Sequence, residues 1–199
     1  MILKIQHLIA VALCALFLQA CSANMLVPKP KLDSPAHHVK TGFKLIDLEK
    51  YDGAMREFNR AVELDPKFVP AHVGVALAHA FAGDYEKGLA SLETAFRQAG
   101  NKEDQLAVNI GYMRLFTIGD GNIKPDWLQQ IENAFQKAVE IKPESPDVYF
   151  YMGIAYKKSN RYDEALKQFV KVFEIGKEFV EEADREYTAI QRMKRAASQ

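Results

Sequence analysis

Four stretches of the chain are versions of one another: YDGAMREFNRAVELDP (Tyr51 to Pro66), YEKGLASLETAFRQAG (Tyr85 to Gly100), LQQIENAFQKAVEIKP (Leu128 to Pro143) and YDEALKQFVKVFEIGK (Tyr162 to Lys177). Each opens on a large apolar residue and then places apolar side chains at helical spacing. Ala54, Phe58 and Ala61 recur thirty-four residues on as Gly88, Leu92 and Ala95; Ile131, Phe135 and Ala138 recur over the same interval as Ala165, Phe169 and Val172. A fixed period of this size points away from a single closed core and toward stacked units, each burying its apolar face against the next.

Each of these helices follows another. In three units a small residue stands twelve positions before the alanine site: Gly42 before Ala54, Ala76 before Gly88, Gly153 before Ala165. Helix axes that approach to about 8 Å need small side chains where they cross. Tyr149, Met152 and Tyr156 are spaced to pack about Gly153. Pro66 and Pro143 end second helices, because proline lacks the N–H and clashes with the preceding turn. This pattern resembles the tetratricopeptide repeat family over Pro35 to about Lys177. The resemblance implies an all-α fold: a right-handed superhelical solenoid of about four helix-turn-helix units, 35–68, 69–102, 103–144 and 145–177. The fourth unit matches best. The first has His38 where an aromatic is usual, and the second has Gly88 for alanine and Gly100 for proline. The third has twenty residues instead of twelve between Gly111 and Ile131, the extra ones lying around Thr117 to Asp126. In the tail, Phe179, Ala183, Tyr187, Ile190 and Met193 fall at helical spacing, so 178–199 is expected to be a helix capping the apolar end of the solenoid.

The chain begins differently. An uncharged run from Leu8 to Ala20 follows a single early lysine, Lys4, and gives way to polar, proline-bearing sequence. A helix crossing the bilayer needs roughly 20 apolar residues, whereas a secretory leader needs about 7–15 followed by a small residue at the cut. The run has the length of a leader. Leu18-Gln19-Ala20-Cys21 resembles the lipobox of bacterial lipoproteins, although a small residue is commoner where Gln19 stands. That resemblance implies a signal peptide over 1–20 and acylation of Cys21, a covalent lipid rather than a bound cofactor. Leu13 is too large to precede a cut at Cys14. Ser22 after the cysteine implies transfer to the outer membrane, facing the periplasm of a bacterial cell envelope. Residues 21–34 then form the lipidated end and a flexible tether, Ser22 to Ser34 reaching ~40 Å when extended.

Composition narrows the partners. Acidic and basic residues number 26 each and are interspersed, so no basic stripe neutralises phosphates and nucleic acid is not expected as a partner. There is no nucleophile elbow and no phosphate-cradling glycine loop, and the protein is not expected to be an enzyme. His72 and His79, seven apart on a helix, lie about 10 Å from one another, too far to share a metal ion. His38 and His72 hold the place that Tyr149 holds in the fourth unit, which suits packing between helices. The run Gly119 to Asn122 with Asp126 lacks the donor series of a calcium loop. Asp126 is instead placed to cap the next helix, and Trp127 to pack that helix start against the inserted loop.

First helices of stacked hairpins line a concave face. Counting by four opposite the Gly42-type contact gives Val39, Phe43 and Asp47; Val73, Leu77 and Phe81; Val108, Tyr112 and Phe116; Phe150, Ile154 and Lys158. This apolar groove is expected either to bind a peptide or partner protein or to be filled by the protein's own tether or tail. The functional expectation is therefore a lipid-anchored scaffold that holds an envelope protein, serving complex or pilus assembly or recruiting cell-wall enzymes. The alternative is a periplasmic small-ligand-binding protein or hydrolase using the same groove, which would require polar groups converging among the apolar ones. The sequence leaves the oligomeric state open.

Overall fold

The computed structural model describes residues 33–118 and 125–197. The leader with Cys14 and Cys21, the tether as far as residue 32 and the part of the insertion from 119 to 124 lie outside the described residues. Within them the chain is all helix: α1 (Pro35–Asp47), α2 (Tyr51–Leu64), α3 (Val69–Phe81), α4 (Tyr85–Gln98), α5 (Lys102–Ile118), α6 (Trp127–Ile141), α7 (Pro146–Lys158), α8 (Tyr162–Ile175) and α9 (Val180–Ala197). They pack as four hairpins, α1 with α2 through α7 with α8, and α9 lies on α8. None of these helices is long and apolar enough to cross a membrane.

The contacts between hairpins give the stack its curvature. Each first helix touches the next first helix, α1 on α3, α3 on α5 and α5 on α7, while among the described residues no second helix touches the next second helix. Units that converge on one side and spread on the other make a curved solenoid with α1, α3, α5 and α7 on the inside.

Three of the hairpins turn by the same device. The residue after the first helix's cap takes a left-handed backbone: Glu49 (φ 57°), Gly83 (φ 82°) and Asn160 (φ 60°). The following N–H then reaches back five residues, from Lys50 to the Leu45 carbonyl (2.8 Å), Asp84 to His79 (2.9 Å) and Arg161 to Tyr156 (2.9 Å). This satisfies carbonyls that the helix end leaves without partners. At the other end of α1, Ser34 Oγ accepts the His37 N–H (3.3 Å) and Pro35 supplies a ready-made φ for the first turn.

Rings seated in glycine notches hold the layers together. A Cβ on Gly42 would lie 2.5 Å from the Phe58 ring, and one on Gly74 2.2 Å from the same ring, so Phe58 is wedged between α1 and α3. Gly153 receives Phe169 in the same way, at 2.5 Å. In the third unit Gly111 behaves as Gly74 does, filled by Leu92 and Val73 of the preceding hairpin, and not, like Gly42 and Gly153, by its own partner helix. Phe135, the counterpart of Phe58 by sequence, is only half-buried and packs edge-on against Tyr149, with Ile131, Ala134 and Ala138 taking the core. Asp126 makes no side-chain cap at α6; its carboxylate instead accepts from Gln130 Nε2 (2.9 Å). Trp127 is half-buried against the central core.

His72 and Tyr149 are held in the same way. His72 Nε2 lies 2.8 Å from the Pro66 carbonyl, and the Tyr149 hydroxyl donates to the equivalent Pro143 carbonyl (2.7 Å). Among the described residues no three His, Cys, Asp or Glu side chains are grouped to hold a metal. At the tail, Ala183 and Ile190 are buried as their spacing implies, whereas Met193 is exposed and Phe179 stands just outside α9 with a left-handed φ of 65°.

Candidate partner-binding face

The inner face carries a continuous file of aromatic contacts. Phe43 on α1 meets Phe58 edge-on at 5.1 Å. The Arg114 guanidinium, from α5, lies 5.3 Å from the Phe43 centroid and 5.4 Å from that of Tyr151 on α7. Tyr151 meets Phe150 at 5.3 Å and Phe179 at 5.8 Å, and Phe179 stacks on Phe150 at 4.9 Å. A side chain of the third unit reaches the first across the second here, which is possible only on the inner side of the curve. The file thus joins units one, three and four to the segment that leads into α9.

Charge is arranged about this file. Asp47 follows Phe43 by one helical turn and Asp147 precedes Tyr151 by one, so each stands on the same side of its helix as its ring. Burial pushes the Tyr151 phenol up; Arg114 opposes the shift, and Asp147, Asp47 and Glu182 reinforce it. Asp147 accepts from Ser145 Oγ (2.6 Å) and from the Val148 N–H (2.9 Å). Among the described residues the Arg114 guanidinium meets no carboxylate; its partners are the two rings.

Comparison with known proteins fits this geometry. Two sequence models of the tetratricopeptide repeat match, one over residues 45–68 and the other over 134–167. Over those two stretches the chain carries tetratricopeptide repeats. Among solved structures, the solenoid superposes on a thermophilic tetratricopeptide protein of Thermus thermophilus with a TM-score of 0.63, at 17% identity, over 78% of this chain and 80% of that one. It also superposes on the Cut9–Hcn1 hetero-tetramer of the APC/C with a TM-score of 0.58, at 17% identity, over 82% of this chain and 31% of that one. By sequence it is similar to anaphase-promoting complex subunit CDC16 of Saccharomyces cerevisiae, 27% identical over 134 residues, which is 67% of this chain. The match spans only 15% of the length of that relative.

The tetratricopeptide solenoid places few of the expected groove residues on an open surface. Phe43 stays on the inner face, half-buried. Leu77, Val108 and Phe116 are fully buried in the central core, Val39 and Val73 nearly so, because the tight approach of the first helices closes the surface over them. Phe81 stacks on Tyr51 at 5.0 Å in the seam between α2 and α3. Ile154 packs with the cluster under α9, Phe150 is covered by Phe179, and Lys158 is exposed at the end of α7. Tyr112 faces outward. It lines a hollow of about 240 Å³ between α4 and α6, together with Phe96, Asn109, Gln130, Asn133 and Lys137.

Counting by four does not pick out Arg114 and Tyr151, whose contact spans the inner face. Its reference point was the cause. Gly111 takes Leu92 as Gly74 takes Phe58, so its place in the unit is that of Gly74 and not of Gly42, and Arg114 rather than Val108, Tyr112 or Phe116 reaches the inner side of α5. Tyr151 had a signal available, since it lies one place from Phe150 and two before Gly153.

Proposed function

We propose that the protein is a non-catalytic interaction scaffold, anchored through lipid on Cys21 in a bacterial cell envelope, in the outer membrane facing the periplasm. The observation that carries the reading is the curved stack of tetratricopeptide hairpins with an aromatic inner face, a fold whose proteins mediate protein–protein interaction. The leader with its lipobox-like Leu18 to Cys21 supports the anchor. One acyl chain alone holds a protein only reversibly, so stable attachment calls for the multiple acylation that a lipoprotein cysteine receives. The partner is an envelope protein or a segment of one, gripped on the inner face.

Two measurements test this. Cys21→Ala should abolish incorporation of labelled fatty acid, and unchanged labelling overturns the anchor. A photo-crosslinking residue at position 47, on the inner face, should yield an adduct of defined mass in the native cell, whereas one at the exposed position 167 on α8 should not. The same adducts from both positions, or none from position 47, overturn the inner-face reading.

A further inference from the structure

The inner face already shows what kind of group it holds: a cation. Arg114 lies between Phe43 and Tyr151, each ring about equally close to the guanidinium carbon. Aromatic faces attract cations through their quadrupole, most strongly where water is partly excluded, and both rings here are half-buried. Two carboxylates are set one helical turn from these rings, Asp47 beside Phe43 and Asp147 beside Tyr151. Neither is ion-paired among the described residues. Asp47, Asp147 and Glu182 all act on the Tyr151 phenol and Arg114 opposes them, so three carboxylates and one guanidinium lie within electrostatic reach of that ring.

We propose that the inner face docks a basic segment of a partner protein, and that Arg114 holds the place of the partner's arginine or lysine until it binds. This rests on the inner-face reading above and names the chemistry of the partner. The exchange is feasible because, among the described residues, the contacts of the guanidinium are with the two rings and with no carboxylate. An incoming cation recovers both ring contacts and gains the carboxylates, while the displaced Arg114 swings toward solvent. Matching charge across the contact supplies orientation and association rate as well as affinity.

Fluorescent ten-residue peptides alternating alanine with arginine, glutamate or glutamine, titrated against the full-length protein in detergent, test the assignment. The arginine peptide should bind tightest. Asp47→Asn with Asp147→Asn should weaken it about fivefold or more, and Arg114→Gln should strengthen it. Removing equal charge elsewhere, with Glu86→Gln and Glu103→Gln, should leave it unchanged, and circular dichroism should show every variant helical. Preference for the glutamate peptide, loss of binding in Arg114→Gln, or equal weakening by both acidic pairs overturns the basic-partner assignment. Binding of any peptide that is lost on Phe43→Ala but shows no charge preference overturns that assignment alone and leaves the inner-face reading intact. Peptide binding that ignores Phe43→Ala, or no binding at all, overturns both.

Discussion

Phe58 has a glycine on either side of its ring, Gly42 from its own hairpin and Gly74 from the next. A ring confined on both sides cannot yield to an added methyl group, so overpacking should be felt in full. Gly74→Ala is expected to lower stability by about 1–3 kcal/mol, read as a shift of the urea midpoint with the slope unchanged. The two notches differed in how visible they were. Gly42 stands at the repeated small-residue position and was identifiable from spacing alone. Gly74 was not, because it lies two places before Ala76 and receives a ring from the neighbouring unit; a repeat displays contacts within a unit and says little about those between units. Glu49 escaped notice for a related reason. Its left-handed backbone matches Gly83 and Asn160 in position, but glutamate carries none of the sequence signal that glycine and asparagine give for such a turn.

At the scale of the element, α1 is latched to α2 by a small ionic group. His38 Nδ1 lies 2.7 Å from Glu57 and Nε2 3.0 Å from Asp33, which Arg60 also holds at 3.0 Å; the His37 ring packs edge-on against His38 at 5.7 Å. The Glu57 hydrogen bond, with Asp33 adding to it and burial opposing, raises the His38 imidazole above its ordinary value. A raised folded value means that the protonated ring favours the native state. Its stabilisation is complete below the unfolded value of about 6.5 and is lost as pH rises through the folded value. The thermal midpoint should therefore fall on going from about pH 6 to pH 8, and His38→Gln should remove that part of the dependence; an identical slope in the variant would show that the latch does not contribute.

Most elements of the fold could be read from the sequence, since the period, the small residues and the prolines fix where helices begin, cross and end. The register of α5 could not. The insertion removes the twelve-residue spacing that marks the small-residue position in the other units. Which neighbour fills the Gly111 notch is a matter of three-dimensional volume, here Leu92 and Val73, that no local pattern records. The groove residues counted from Gly111 inherit that shift of register, and Val108 and Phe116 are core as Val73 and Leu77 are, where the first helices approach one another.

At the scale of the whole molecule, a solenoid is ordinarily a sum of neighbouring interfaces, each unit stabilised only by those beside it. The Arg114 contacts add a term between units that are not neighbours in the stack. Arg114→Ala should therefore loosen the first unit although the substitution lies in the third. Amide exchange in α1 is expected to quicken by up to about tenfold, measured by mass spectrometry on the intact chain. Exchange that quickens only in α5 and α7 would show that the first unit does not depend on the tie. The tail belongs to the same assembly. Lys157 pairs with Glu186 and Asp163 with Lys194, holding α9 over the last hairpin while Phe179 closes the end of the inner file.

The tie has a mechanical meaning. A coil free at both ends stretches and frays one turn at a time, and a load on it dissipates locally. Here a guanidinium between two rings also links the first hairpin to the last, so whatever enters the inner face and displaces Arg114 should also loosen the stack against opening.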